Sequence, residues 1–273
     1  MSLSSILVHL DGDERSKVRL KIAADLARAH GARLTGLFAQ IAAPDPVGGA
    51  PEWSSAAYAQ AAAASRDDFL AAASKLDAEW IDLGGGDESE IIERATDIAR
   101  HFDLIVIEQH RTDDALTPPD FAERLIVDSG RPVLALPYAG EFKTIGKRAI
   151  FAWADSAPSA RSLVEGVSLV APRSEPLVLG LSHSTEPKAL AAQKESLDRA
   201  VIHLAAHKIC ARAEQLALND IGLMDALLTR AADHRADLLV IGAFGGGGYP
   251  LFSRGSGSRY MLRHMTLPVL FAH

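Results

Sequence analysis

Toward the C-terminal end, Gly242, Gly245, Gly255 and Ser256 form a G-x2-G-x9-G-S array directly behind the apolar run Leu238-Leu239-Val240-Ile241. A glycine lets the backbone turn tightly and approach a ligand where a Cβ would stand in the way. A helix opening at Gly255-Ser256 would present free backbone N–H groups and the positive end of its dipole, a setting that favours an anion. The order of strand, glycine loop, serine-capped helix and closing strand (Thr266-Leu267-Pro268-Val269-Leu270-Phe271) points to a nucleotide phosphate. The competing interpretation is a set of turn glycines with no ligand.

Other chemistry-bearing residues point less far. His203 and His207 stand four apart on an expected helix and could share a face, but no third metal ligand accompanies them, so no metal site is assigned. Cys210 lies in the run Lys208-Ile209-Cys210-Ala211 and is expected to be a small core residue. Arg15, Lys17, Arg19 and Lys21 alternate with apolar positions and are expected to form a solvated helix face. No G-x-S-x-G elbow and no Walker A sequence with its lysine is present, so neither a standard hydrolase nor a P-loop enzyme is indicated, and no catalytic residue is assigned.

The array sits in the second of two copies of one plan. Phe102-Asp103-Leu104-Ile105-Val106-Ile107 leads through a loop and a helix near Phe121 to Arg131-Pro132-Val133-Leu134; Ala236-Asp237-Leu238-Leu239-Val240-Ile241 leads in the same way to Leu267-Pro268-Val269-Leu270. The copies also begin alike. Ile6-Leu7-Val8-His9-Leu10 runs into Asp11-Gly12, and Ala149-Ile150-Phe151-Ala152-Trp153 runs into Ala154-Asp155-Ser156. Helices of 3.6-residue period follow, and alternation of such helices with short β-rich runs (33–38, 177–181) means βαβ units and a parallel sheet.

With 273 residues and 48% hydrophobic composition, the chain suits two α/β domains, each burying its own core. The expected domains are residues 1–140 and 146–273, joined through the polar stretch 138–146. Residues 43–51, with three prolines and two glycines, are expected to be loop, and the alanine-rich stretch 56–73 a helix.

The spacing Gly242-x2-Gly245-x9-Gly255-Ser256, followed by Met261-Leu262-Arg263-His264 and Pro268-Val269-Leu270, closely resembles the nucleotide-binding signature of the universal stress proteins. The resemblance covers nearly the whole chain, twice. It implies two Rossmann-like units, each an open five-stranded parallel sheet of order 3-2-1-4-5 flanked by helices. It also implies packing of the copies through their final strands as an internal pseudo-dimer, a homodimer being compatible with this.

The implied cofactor is ATP or another adenine nucleotide, with ribose and phosphates at the glycine-serine array and an acid after the first strand on the adenosine. In the second copy that acid position holds Ala154, and Asp155 is the nearest carboxylate. In the first copy Asp11 is in place, but Glu108 and Arg111 replace the first two glycines and Pro119-Asp120 the glycine-serine pair, so this copy is not expected to bind ATP.

A formal charge of −7 argues against a nucleic-acid surface, and no apolar run reaches membrane-spanning length. A single cysteine and an N-terminus without an export pattern place the protein in the cytoplasm. Three functions from three classes stand at this point. They are a stress-response or signalling protein governed by adenine-nucleotide occupancy, a structural or partner-binding pseudo-dimer without a nucleotide, and a slow ATPase.

Overall fold

A computed structural model describes residues 2–42, 45–47, 50–52, 56–111, 114–218, 221–245 and 255–273. These divide into two compact units, Ser2–Tyr138 and Ala139–His273.

The first unit runs β1 (Ser5–Leu10), α1 (Ser16–His30), β2 (Arg33–Phe38), a hairpin of β3 (Asp45–Val47) and β4 (Ala50–Glu52), α2 (Ala56–Ala72), β5 (Ala78–Asp82), α3 (Glu88–Ala99), β6 (Leu104–Glu108), α4 (Phe121–Asp128) and β7 (Val133–Leu136). The second runs β8 (Ala149–Trp153), α5 (Ala157–Gly166), a 3-10 turn, β9 (Leu177–Ser182), α6 (Pro187–Ala206), β10 (Arg212–Ala217), α7 (Leu223–Asp233), β11 (Leu238–Gly242), α8 (Ser256–His264) and β12 (Val269–Ala272).

Apart from the β3–β4 hairpin, all sheet pairings within a unit are parallel. The first unit is ordered β5-β2-β1-β6-β7 and the second β10-β9-β8-β11-β12, which is 3-2-1-4-5 in each when strands are counted within the unit and the hairpin is set aside. The central strands are unbroken apolar runs because helices cover both faces. Ile6, Leu7 and Val8 of β1 and Leu238, Leu239 and Val240 of β11 are at most 1% exposed. The outer strands β5 and β10 mix charged with apolar residues and are half-exposed to exposed.

Stretch 43–51 differs from the loop expected of it. Its described residues form an antiparallel two-stranded ribbon pairing Asp45 with Glu52 and Pro46 with Pro51. A two-stranded ribbon has only edges, so prolines need not break a ladder there.

Helix starts follow local capping chemistry. Asp87 and Glu90 form a reciprocal capping box at α3, with Glu90 N donating to Asp87 Oδ1 at 2.9 Å and Asp87 N to Glu90 Oε2 at 3.2 Å. Ser156 caps α5, accepting from Ser159 N at 3.4 Å, and Pro158 sits in the first turn, where its missing N–H costs nothing. At α8 the cap is Gly255, whose φ of 81° is the left-handed conformation that glycine alone adopts without strain. α8 thus opens on a left-handed glycine, and its first residues line one cavity with residues at the ends of β8 and β11.

Candidate functional site

In the second unit the carboxyl ends of β8, β9 and β11 and the starts of α5, α7 and α8 enclose a cavity of about 140 Å3. One ordered water needs roughly 10–15 Å3 by the same measure, so the space suits an organic group. Gly242, Gly245, Gly255 and Ser256 all line it. Its lining is apolar at Trp153, Leu179, Leu181, Leu223 and Leu227 and also carries the glycines with Ser156, Ser159 and Ser258. No charged side chain is among the described residues lining it, and the start of α8 offers backbone N–H groups and the positive end of its dipole to an anion.

The four array residues have distinct structural reasons. A Cβ on Gly242 would come within 2.4 Å of the Pro158 carbonyl carbon and 2.5 Å of Ser159 N, so this glycine lets α5 pack against the end of β11. A Cβ on Gly245 would meet the Pro158 ring at 2.8 Å. Gly255 combines its positive φ with contact to Phe244, whose ring would stand 2.5 Å from an added Cβ. Ser256 is the first residue of α8, and its hydroxyl is buried with no hydrogen-bond partner among the described residues. An oxygen-rich ligand at the helix start would satisfy that group, whose burial alone costs about 1–3 kcal/mol.

Asp155 is exposed and does not line the cavity; Ala154 does. The array residues are therefore brought together and the nearest carboxylate is not among them. The four-glycine run from Gly245, and Arg254, extend beyond the described residues.

The sequence also gave no indication of Trp153, Met224 and Phe244 as lining residues. Trp153 is held by its indole N–H donating to Ser196 Oγ at 2.9 Å. Phe244 lies at φ 52° and takes part in a cross-link described below. Ser258 was legible in principle, since it repeats the glycine-serine pair two residues on.

The first unit places a cluster of ion pairs where the second has its cavity. Asp11 N and Ala154 N each receive support from a serine five residues on, donating to Ser16 Oγ at 3.0 Å and to Ser159 Oγ at 3.2 Å. Counting from that match, Asp11 corresponds to Ala154, Arg15 to Pro158 and Arg19 to Ser162. Glu108 and Gly242 end β6 and β11, and Arg111 and Gly245 lie three residues on. Every charged member of the cluster thus has a small or apolar counterpart.

Arg19 Nη2 donates to Asp11 Oδ2 at 2.7 Å and Nε to the His9 carbonyl at 3.0 Å, and Nη1 reaches Glu108. Arg15 Nε donates to Glu108 Oε1 at 3.1 Å, and Arg111 pairs with Asp13 at 2.9 Å.

These contacts correct two expectations. Arg19 is 1% exposed and is not part of a solvated face; of that set only Lys17 and Lys21 are exposed. The reason is that two carboxylates behind α1 demand a buried cation. Cys210, expected in the core, is exposed. It follows the end of α6, beyond the apolar face that Leu197, Ala200 and Leu204 bury.

Titration follows the same contacts. Burial works to raise the Asp11 carboxyl, but Arg19, then His9 and the Ser16 hydroxyl, outweigh it and hold the group below the usual carboxylate range. For Glu108 burial prevails over Arg19 and Arg15 and pushes the group up. Burial lowers His9, which at neutral pH carries its proton on Nε2, the atom 2.7 Å from the Ala39 carbonyl, since a carbonyl can only accept. His203 and His207 lie with ring centroids 4.9 Å apart and planes tilted by 55°, and among the described residues no cluster of three or more His, Cys, Asp or Glu could hold a metal. Among them too, no helix is long and apolar enough to cross a membrane.

Two tandem Rossmann-like units, one with a glycine-lined cavity at its strand ends and one with that place filled by ion pairs, define the class of protein. The universal stress protein family model matches residues 3–137, so the first unit belongs to that family, and the second unit repeats its strand order. A universal stress protein from Archaeoglobus fulgidus DSM 4304 shares the fold at a TM-score of 0.71 and 16% identity, over 98% of this chain and 95% of its own. A functionally unknown protein from Pseudomonas aeruginosa PAO1 gives 0.59 and 19%, over 99% and 92%. No curated protein matches the sequence.

Proposed function

We propose that the chain is a stress-response protein whose second unit binds an adenine nucleotide, ATP foremost, while the first unit binds none. The observation that carries this is the convergence of Gly242, Gly245, Gly255 and Ser256 on one cavity, with the buried and unpartnered Ser256 hydroxyl at the start of α8. The apolar lining at Trp153, Leu179 and Leu181 suits a purine ring, and the glycines suit phosphates. Family membership supports the stress-response role. A cytoplasmic location belongs to the same proposal, supported by the single, exposed Cys210.

Asp155 points to a modest affinity. With that carboxylate outside the cavity, the ribose lacks a charge-assisted hydrogen bond of about 1.5–3 kcal/mol, equivalent to roughly tenfold to a hundredfold in Kd. Mass spectrometry of ligand released from freshly purified protein tests the proposal without presupposing the ligand. Adenine nucleotides should be found; a ligand of another class, released reproducibly at one per chain, would replace them.

A further inference from the structure

Phe244 and Ser258 lie on opposite sides of the nine-residue spacer in the glycine array, one following β11 and the other in the first turn of α8. Phe244 N donates to Ser258 Oγ at 2.9 Å, a direct link between residues fourteen apart. Three further features lock the same corner. Phe244 is held at φ 52°, a conformation that bulky side chains avoid, its ring packs on Gly255, and the Arg259 guanidinium lies 5.9 Å from the ring centroid. Ser258 itself is 7% exposed, and both residues line the cavity.

From this geometry we infer that Ser258 is a positioning residue that pre-forms the anion cradle, acting through the Phe244 backbone rather than as the group that holds the ligand. The inference rests on the proposed nucleotide site and adds a division of labour within it. The Phe244–Ser258 link fixes the distance between the strand-end glycines, Gly242 and Gly245, and the helix-start pair, Gly255 and Ser256. Without it, bringing the strand-end and helix-start residues into register becomes part of the binding event, and the entropy of ordering them counts against ligand affinity. The penalty falls on ligands that engage both halves of the array. A ligand that occupies only the apolar lining does not feel it.

A strained left-handed Phe244 is consistent with such a role, because conformations of this kind persist where surrounding contacts over-determine them. Here those contacts are one hydrogen bond, one ring-on-glycine packing and the Arg259 guanidinium near the ring, and Ser258 supplies the first.

The experiment compares full-length wild type with Ser258→Ala, Ser258→Thr and Ser258→Val, titrating ADP and adenosine by calorimetry and recording the Tm of each protein. Thr and Val differ by one hydroxyl at matched shape, so their comparison isolates the hydrogen bond even if either perturbs packing. The expected result is about tenfold weaker ADP binding for Ala and Val, adenosine binding within about twofold of wild type, and near-wild-type ADP binding for Thr. Wild-type ADP affinity in both Ala and Val would overturn the inference, as would equal losses for ADP and adenosine, which mark general loosening of the cavity. Failure of the wild type to bind either ligand would overturn the nucleotide site as well, and is distinguishable because no variant is needed to see it.

Discussion

Arg19 donates to Asp11 at 2.7 Å with both side chains at most 4% exposed, and the same guanidinium reaches Glu108. In the second unit Ser162 and Ala154 take the places of Arg19 and Asp11, and Gly242 that of Glu108. One sequence plan therefore yields a self-neutralised ion cluster in one copy and an open cavity in the other.

Removing the cation should be far more damaging than its removal from a surface pair. Arg19→Met leaves Asp11 without its cation and Glu108 with Arg15 alone, at an expected cost of about 3–5 kcal/mol to the first unit. Lys21→Met, which breaks only the exposed pair with Asp25, should cost less than about 1 kcal/mol. Urea denaturation of the full chain, read by a probe in each unit, checks both; equal small effects would contradict the buried cluster.

Acid should weaken the first unit in two stages. Asp11 and His9 both titrate lower in the folded state than their ordinary values of 3.8 and 6.5, so the unfolded chain takes up each proton first. The His9 contribution is complete above about pH 6.5 and declines as pH falls below it; the Asp11 contribution declines from about pH 3.8 downward. Glu108, raised by burial above 4.5, acts in the opposite sense as pH falls toward 4.5. Denaturation midpoints between pH 8 and pH 3 test the sign, and His9→Gln should flatten the decline that begins near pH 6.5.

Gly242 should not accept even alanine. Its Cβ would meet the backbone of Pro158 and Ser159, which cannot swing aside as a flexible side chain can, so Gly242→Ala should lower the stability of the second unit by about 1–3 kcal/mol. Gly31→Ala is a useful contrast. It carries only the penalty of its positive φ, with nothing within 4 Å of the added carbon, and should cost about 1 kcal/mol. Differential scanning calorimetry separates the two.

Much of this was legible from residue order. Buried runs such as 238–241 and 104–107 identify their strands because a covered parallel strand is apolar throughout. Strands β5 and β10 were not individually legible, since Ala78–Asp82 and Arg212–Ala217 mix charges into an outer position. That Gly242, Gly245, Gly255 and Ser256 come together was legible from spacing, and all four line one cavity. The ion cluster was not, because Arg15 and Arg19 on α1 look like a wet helix face until β1 and β6 bring Asp11 and Glu108 beneath them. Nor could Phe244 be read, as its backbone N–H is bonded to a hydroxyl fourteen residues away.

The nucleotide proposal meets its most direct test in calorimetry of ADP and ATP against wild type and Ser256→Asp. A carboxylate in the first turn of α8 suits the helix dipole, so the fold should hold, while its charge repels phosphate. Binding of one nucleotide per chain by the wild type, lost in Ser256→Asp, is the predicted result. Equal binding by both proteins, or two nucleotides per chain, would contradict a single site in the second unit.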